Sequence, residues 1–347
     1  MRNRLILMCV GILITLGMST MTSQTKQDTL FYRSLHYTAG GMSYWYAKTN
    51  GGLETVTGVP YSQLGCQNCH VADCSRCHLT ATKEGPAYST NEAKQDGKCL
   101  GCHAREASVM KVDKAAGQLD VHFERGMACM DCHTAGEIHG NGTMYASMKA
   151  PGAMETSCEK CHTISESRAH SVHNGKLDCN ACHERQVVSC TNCHFETMVN
   201  EGKRIALPVS GWLFLMNRNG KVTSANMQSF VMKEGRTFLM FAPQHSHSIM
   251  KQGRECEECH ASDNVKQLGK KAFTLTWLQD GKLQNTKGVI PVTDGITWNM
   301  VYQDREKGQW VLIKNPVAPK LQYASFGEPL TRSQMQSLAR LQTNEKK

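Results

Sequence analysis

Residues 66–78 read CQNCHVADCSRCH, two cysteine pairs each followed at once by a histidine, with only Val71, Ala72 and Asp73 between them. The arrangement returns at 99–103, 129–133, 158–162, 179–183, 190–194 and 256–260, so the chain holds eight C-x-x-C-H motifs. Three chemistries compete for spaced cysteine pairs: a disulfide framework, zinc sites, or covalent haem attachment. Only the last explains the histidine. A zinc knuckle or a disulfide is indifferent to the residue after the second cysteine, whereas c-type haem uses both thiols for attachment and the adjacent imidazole as an iron ligand. The chain's own cysteine and histidine frequencies would supply roughly 0.04 such matches by chance. The motifs therefore predict eight covalently bound haem c groups. Their attachment cysteines are Cys66 and Cys69, Cys74 and Cys77, Cys99 and Cys102, Cys129 and Cys132, Cys158 and Cys161, Cys179 and Cys182, Cys190 and Cys193, and Cys256 and Cys259. The proximal ligands are His70, His78, His103, His133, His162, His183, His194 and His260.

Those motifs consume all but one of the 17 cysteines, and the remaining Cys9 lies in an N-terminal apolar run. Arg2 and Arg4 form a basic start, Leu5 to Leu16 an apolar stretch, and Ser19 or Ser23 a small-residue cleavage position, so residues 1–23 read as a secretory signal peptide. A retained membrane anchor is the alternative, because the apolar run approaches the ~20 residues needed to span a bilayer. Met8 before Cys9, where a small residue is wanted, disfavours a lipoprotein. Export places the expected protein in the periplasm or outside the cell.

Seven motifs fall within residues 66–194, roughly 18 residues per macrocycle, too little chain for a conventional apolar core. The fold expected there is a haem-dominated core wrapped by short helices and loops. Residues 24–65 form an N-terminal arm whose aromatic, Gly-rich run includes Tyr44, Trp45 and Tyr46; these pack on a macrocycle or a neighbouring chain, or close a local core. From 195 to 330 the pattern turns to β-formers around Asn219-Gly220, Lys233 to Gly235 and Asp280-Gly281, which predicts a β-rich module carrying the eighth haem. The whole is α+β with little regular secondary structure. A C-terminal helix and tail occupy 331–347, opened by a capping box at Thr331 to Gln334.

The formal net charge of +9 would ordinarily invite nucleic acid or an acidic surface. Loss of Arg2 and Arg4 with the leader, and about −1 from each ferric haem with its two propionates, brings the mature oxidised protein near −1. Many Lys and Arg residues are then expected to offset propionates, and no nucleic-acid partner is expected.

Seven histidines lie outside the motifs: His36, His122, His139, His170, His173, His245 and His247. Each is a candidate distal ligand. Seven cannot serve eight irons, so at least one haem should lack a second histidine. His170 and His173 would share a helical face, and His245 and His247 the same side of a strand, so one of each pair is a possible spare.

On these motifs the chain resembles the multihaem c-type cytochromes, and the count of eight is similar to that of the octahaem group containing hydroxylamine dehydrogenase and the nitrite and tetrathionate reductases. Two features depart from the catalytic members. The pentahaem nitrite reductases carry lysine in place of the proximal histidine at the active haem, yet all eight motifs here end in histidine; and residues 261–330 read as strands where the hydroxylamine dehydrogenase type has long helices. In haem density and aromatic arm the chain also resembles cytochromes that polymerise into extracellular conductive filaments. The resemblance implies electron transfer along closely spaced haems in anaerobic or extracellular respiration, with redox partners such as other cytochromes or membrane quinol-oxidising complexes, and a possible homo-oligomer or filament. The alternative is a multihaem oxidoreductase acting on nitrite, hydroxylamine or a sulfur oxyanion at one haem lacking a distal histidine, with catalytic residues unassigned.

Overall fold

The computed structural model describes residues 30–65, 70–267 and 269–340. The signal peptide expected at 1–23 and the first attachment pair, Cys66 and Cys69, lie outside the described residues. The chain is mixed α/β, with short helices through its first half and a β-rich C-terminal region. Among the described residues the longest helix is Ala104–Ala115, and no helix is long and apolar enough to cross a membrane.

The strands are β1 (Leu79–Thr82), β2 (Gly85–Tyr88), β3 (Val187–Thr191), β4 (Cys193–His194), β5 (Leu207–Arg218), β6 (Lys221–Val231), β7 (Thr237–Pro243), β8 (Ala272–Thr274), β9 (Thr276–Gln279), β10 (Lys282–Asn285), β11 (Gly288–Pro291), β12 (Thr297–Asn299), β13 (Gln303–Glu306), β14 (Gln309–Leu312) and β15 (Lys320–Tyr323). The main sheet runs β11-β5-β6-β7-β15, with β3 paired to β5 and β4 to β6. β5, β6 and β7 are antiparallel neighbours, while β11 and β15 lie parallel to β5 and β7.

Turn chemistry sets the hairpins. Asn219 and Gly220 both take left-handed φ, 51° and 83°, as a two-residue turn matching strand twist requires. The same device recurs between β9 and β10 at Asp280 and Gly281, and between β13 and β14 at Lys307 and Gly308. Successive residues of β5 are buried on both faces of the sheet, which is why Trp212 to Met216 read as an unbroken apolar run rather than an alternation. Trp212, Phe214, Phe241, Ile290 and Trp298 fill one core, and the Trp212 indole N–H donates to Ser189 Oγ at 2.9 Å.

The β-rich region begins earlier than residue 195. Val187 to His194 already belong to the sheet, because β3 and β4 dock on β5 and β6. The arm closes a local core. Tyr46 is buried and its hydroxyl donates to the Val59 carbonyl at 2.6 Å, Trp45 sits edge-on to Phe326 at 5.3 Å, and Gln322 Nε2 donates to the Trp45 and Asn50 carbonyls. The C-terminal helix Arg332–Leu338 opens with the expected capping box between Thr331 and Gln334.

Candidate metal centres

Among the described residues six motifs lie on or start in a single helical turn: Ser75–His78, Asp96–Leu100, Cys129–Cys132, Cys158–Lys160, Cys179–His183 and Cys256–His260. On a turn of this kind residues three and four apart share a face, so both thiols and the imidazole can reach one group. His78, His103, His133 and His162 each donate the backbone N–H to the carbonyl of the motif's first cysteine, at 2.9 to 3.0 Å.

In all six of these motifs the histidine faces a second imidazole. The ring centroids are 6.1 Å apart for His78 and His139, 6.1 Å for His103 and His36, and 6.2 Å for His133 and His247. They are 6.0 Å apart for His162 and His122, 6.3 Å for His183 and His170, and 6.1 Å for His260 and His173. Rings in direct contact would sit closer. Two imidazoles trans on one metal, with metal–nitrogen bonds of about 2 Å, have centroids about 6.3 Å apart. Every pair joins one motif histidine to one histidine from outside the motifs. The short helix Arg168–Ser171 ends before His173, which frees His170 and His173 to serve different motifs.

In five of these imidazoles the remaining ring nitrogen is held as a metal-binding imidazole requires. His133 Nδ1 donates to Glu137 Oε2 and His247 Nδ1 to Glu106 Oε2, both at 2.8 Å; His122 Nδ1 donates to Asp120 Oδ1 at 3.1 Å. Backbone carbonyls do the same for His260, through Leu338 at 2.9 Å, and for His170, through Ser165 at 3.0 Å. Such contacts fix the tautomer and leave Nε2 with its lone pair for a metal. Burial, then the facing imidazole, holds His36, His139 and His173 below the usual histidine range and so neutral. His247 is the exception: burial lowers it, but the Glu106 carboxylate outweighs burial and raises it.

Successive motifs also lie near enough to shift one another's thiols. Burial, then the Cys99 and Cys102 thiols, raise Cys77; burial, then Asp96, raise Cys129, with Cys99 adding to the rise; Cys132 is raised by burial and then Cys161. The neighbouring Cys179 raises Cys158, and Cys182 is raised by burial against the opposing charge of Arg254, with Cys256 adding to the rise. The order of neighbouring motifs thus runs 74–78, 99–103, 129–133, 158–162, 179–183, 256–260.

Two motifs and one candidate stand outside this pattern. His70 has Tyr37 beside it, centroids 5.5 Å apart, and no second histidine within ring contact among the described residues. His194 Nε2 contacts Asp304 Oδ1 at 3.1 Å. His245 faces Lys149 and Arg218 instead of a motif; burial, then those two cations, push it down to about 3. Lys149 is itself buried and pushed down to about 8 by burial and then Arg218, and Arg218 donates to its carbonyl at 2.5 Å. The Lys149 and Arg218 pair beside the neutral His245, which the sequence pattern did not single out because the two stand far apart in the chain, has the charge to receive a propionate or another anion.

Two side chains per metal, with the other positions filled by a macrocycle, is a donor set these pairs fit. Among the described residues no group of three or more His, Cys, Asp or Glu side chains converges on one metal position. No family model, curated protein or solved structure matches the chain.

Proposed function

We propose that this protein is an exported multihaem c-type cytochrome whose work is electron transfer along a row of closely spaced haems. The observation that carries the reading is the one-to-one pairing of six motif histidines with six histidines from elsewhere in the chain, at the separation that axial ligands on one iron require. Iron with two imidazoles has no position for a substrate, so these six centres would pass electrons rather than transform a molecule. The nearness of successive motifs would keep neighbouring haems close, and the carboxylates and carbonyls on Nδ1 of five of the histidines would tune potentials. Redox proteins of the periplasm or cell exterior, other cytochromes or a membrane quinol-oxidising complex, are the corresponding partners.

Expression in a host able to mature c-type cytochromes tests this. The expected product is a red protein that takes up at least six electrons per chain in a reductive titration and shows low-spin ferric signals. A purified, folded chain without covalent haem would refute the proposal.

A further inference from the structure

We infer that the seventh motif, residues 190–194, is not a haem site but part of the β-sheet, so that the protein carries at most seven haems. The inference rests on the haem reading of the other motifs and departs from it at this one.

Three features separate this motif from the six that pair. The backbone is extended: Cys190 lies in β3 opposite Pro208, Cys193 in β4 opposite Phe230, and Asn192 between the strands takes φ 53°. The His194 N–H donates to the Ile205 carbonyl at 2.9 Å, where the four motifs named above return theirs to the first cysteine. On strands the i, i+3 and i+4 side chains do not share the face that a helical turn gives them.

The second feature is the thiol. Cys193 is 0 % exposed and packs in an apolar cluster with Leu64, Phe195, Met198, Phe230 and Phe238. Every other described motif cysteine is exposed or half-buried. A thioether to a macrocycle at Cys193 would require opening that cluster.

The third is the imidazole, which is turned the other way. The Thr197 N–H donates to His194 Nδ1 at 3.3 Å, so Nε2 carries the proton. It points at Asp304 Oδ1, 3.1 Å away, with Glu196 Oε2 at 3.7 Å. In five of the paired histidines, His122, His133, His170, His247 and His260, Nδ1 donates and Nε2 is left for a metal; His194 reverses both roles. Its side chain ties β4 to β13 through Asp304.

The seven-for-eight shortage of histidines then narrows to one centre. With six pairs made, only His70 would lack a second imidazole, and His245 is the remaining histidine.

Trypsin separates the decisive motif from its neighbour, since Lys176, Arg185 and Lys203 bound residues 177–185 and 186–203. The denatured holoprotein should release 177–185 as a haem peptide and 186–203 without haem, its cysteines alkylated after reduction. Cys190→Ser should leave the haem count per chain unchanged, while Cys179→Ser lowers or alters it. Haem on peptide 186–203 overturns the inference and leaves the cytochrome reading intact. Absence of haem from every peptide of the digest would instead sink the cytochrome reading.

Discussion

Glu106→Gln offers a quantitative test of the paired-imidazole centres. His133 and His247 form the pair in which both Nδ1 positions are held by carboxylates, Glu137 and Glu106. Negative charge there stabilises ferric over ferrous iron, so this centre should have the lowest potential among the six pairs. Glu106 Oε2 is 2.8 Å from His247 Nδ1. Through the imidazole, iron bound to Nε2 would lie about 6.5 Å from that carboxylate, given a metal–nitrogen bond of about 2 Å. One charge at that distance, with an effective dielectric near 20, is worth about 2.5 kcal/mol, or about 110 mV for a single electron. Although burial alone would raise Glu106, its hydrogen bonds to His247 outweigh burial and hold it below the usual carboxylate range, so it is ionised at neutral pH. The variant keeps the side chain's size and an acceptor oxygen. Spectroelectrochemical titration of wild type and variant, at equal haem content, should therefore show one midpoint rising by about 110 mV while the others move far less. A shift below ~30 mV, or a shift downward, would mean that iron does not sit between His133 and His247.

Replacing His173 with alanine should convert one low-spin ferric centre to a high-spin or altered signal without loss of covalent haem; an unchanged electron paramagnetic resonance spectrum would break the His173–His260 assignment. Azide or nitrite should perturb at most the centre at His70 in the wild-type protein, and a response from several centres would contradict paired ligation. Glu184 is fully buried, and burial, against the hydrogen bond from Ser224, holds its carboxyl well above the usual range. The folded state therefore binds this proton more tightly than the unfolded chain, and stability is lost as pH rises past the ordinary carboxylate value. Glu184→Gln should raise the unfolding free energy at pH 8 by about 1–3 kcal/mol and by much less at pH 4, read from denaturant titrations; equal gains at both would refute the burial argument. At Gly52 an added Cβ would run into the Trp45 and Tyr46 carbonyls, so Gly52→Ala should destabilise the arm by about 1–3 kcal/mol, read as a lowered thermal midpoint.

Much of this molecule is local chemistry and so is legible along the chain. Asn219-Gly220, Asp280-Gly281 and the Thr331 capping box each act over two to four residues, and the strands and helix form where those residues stand. The list of candidate ligands is local too, since the fifteen histidines divide into motif and non-motif residues by their neighbours alone. Which histidine meets which is a different kind of fact. His36 meets His103, His247 meets His133, and His122 meets a motif histidine that follows it, pairings decided by how the arm, the helices and the sheet pack. The spare at 245 is likewise set by packing, because its neighbours Lys149 and Arg218 come from distant segments. The seventh motif makes the limit plain. Its five residues satisfy the same pattern as the others, but β5 and β6 draw 187–194 into the sheet, bury Cys193 and turn His194 toward Asp304. A five-residue pattern specifies which atoms are available for a bond; only long-range strand pairing and core packing decide the backbone conformation, and with it whether those atoms can face one group.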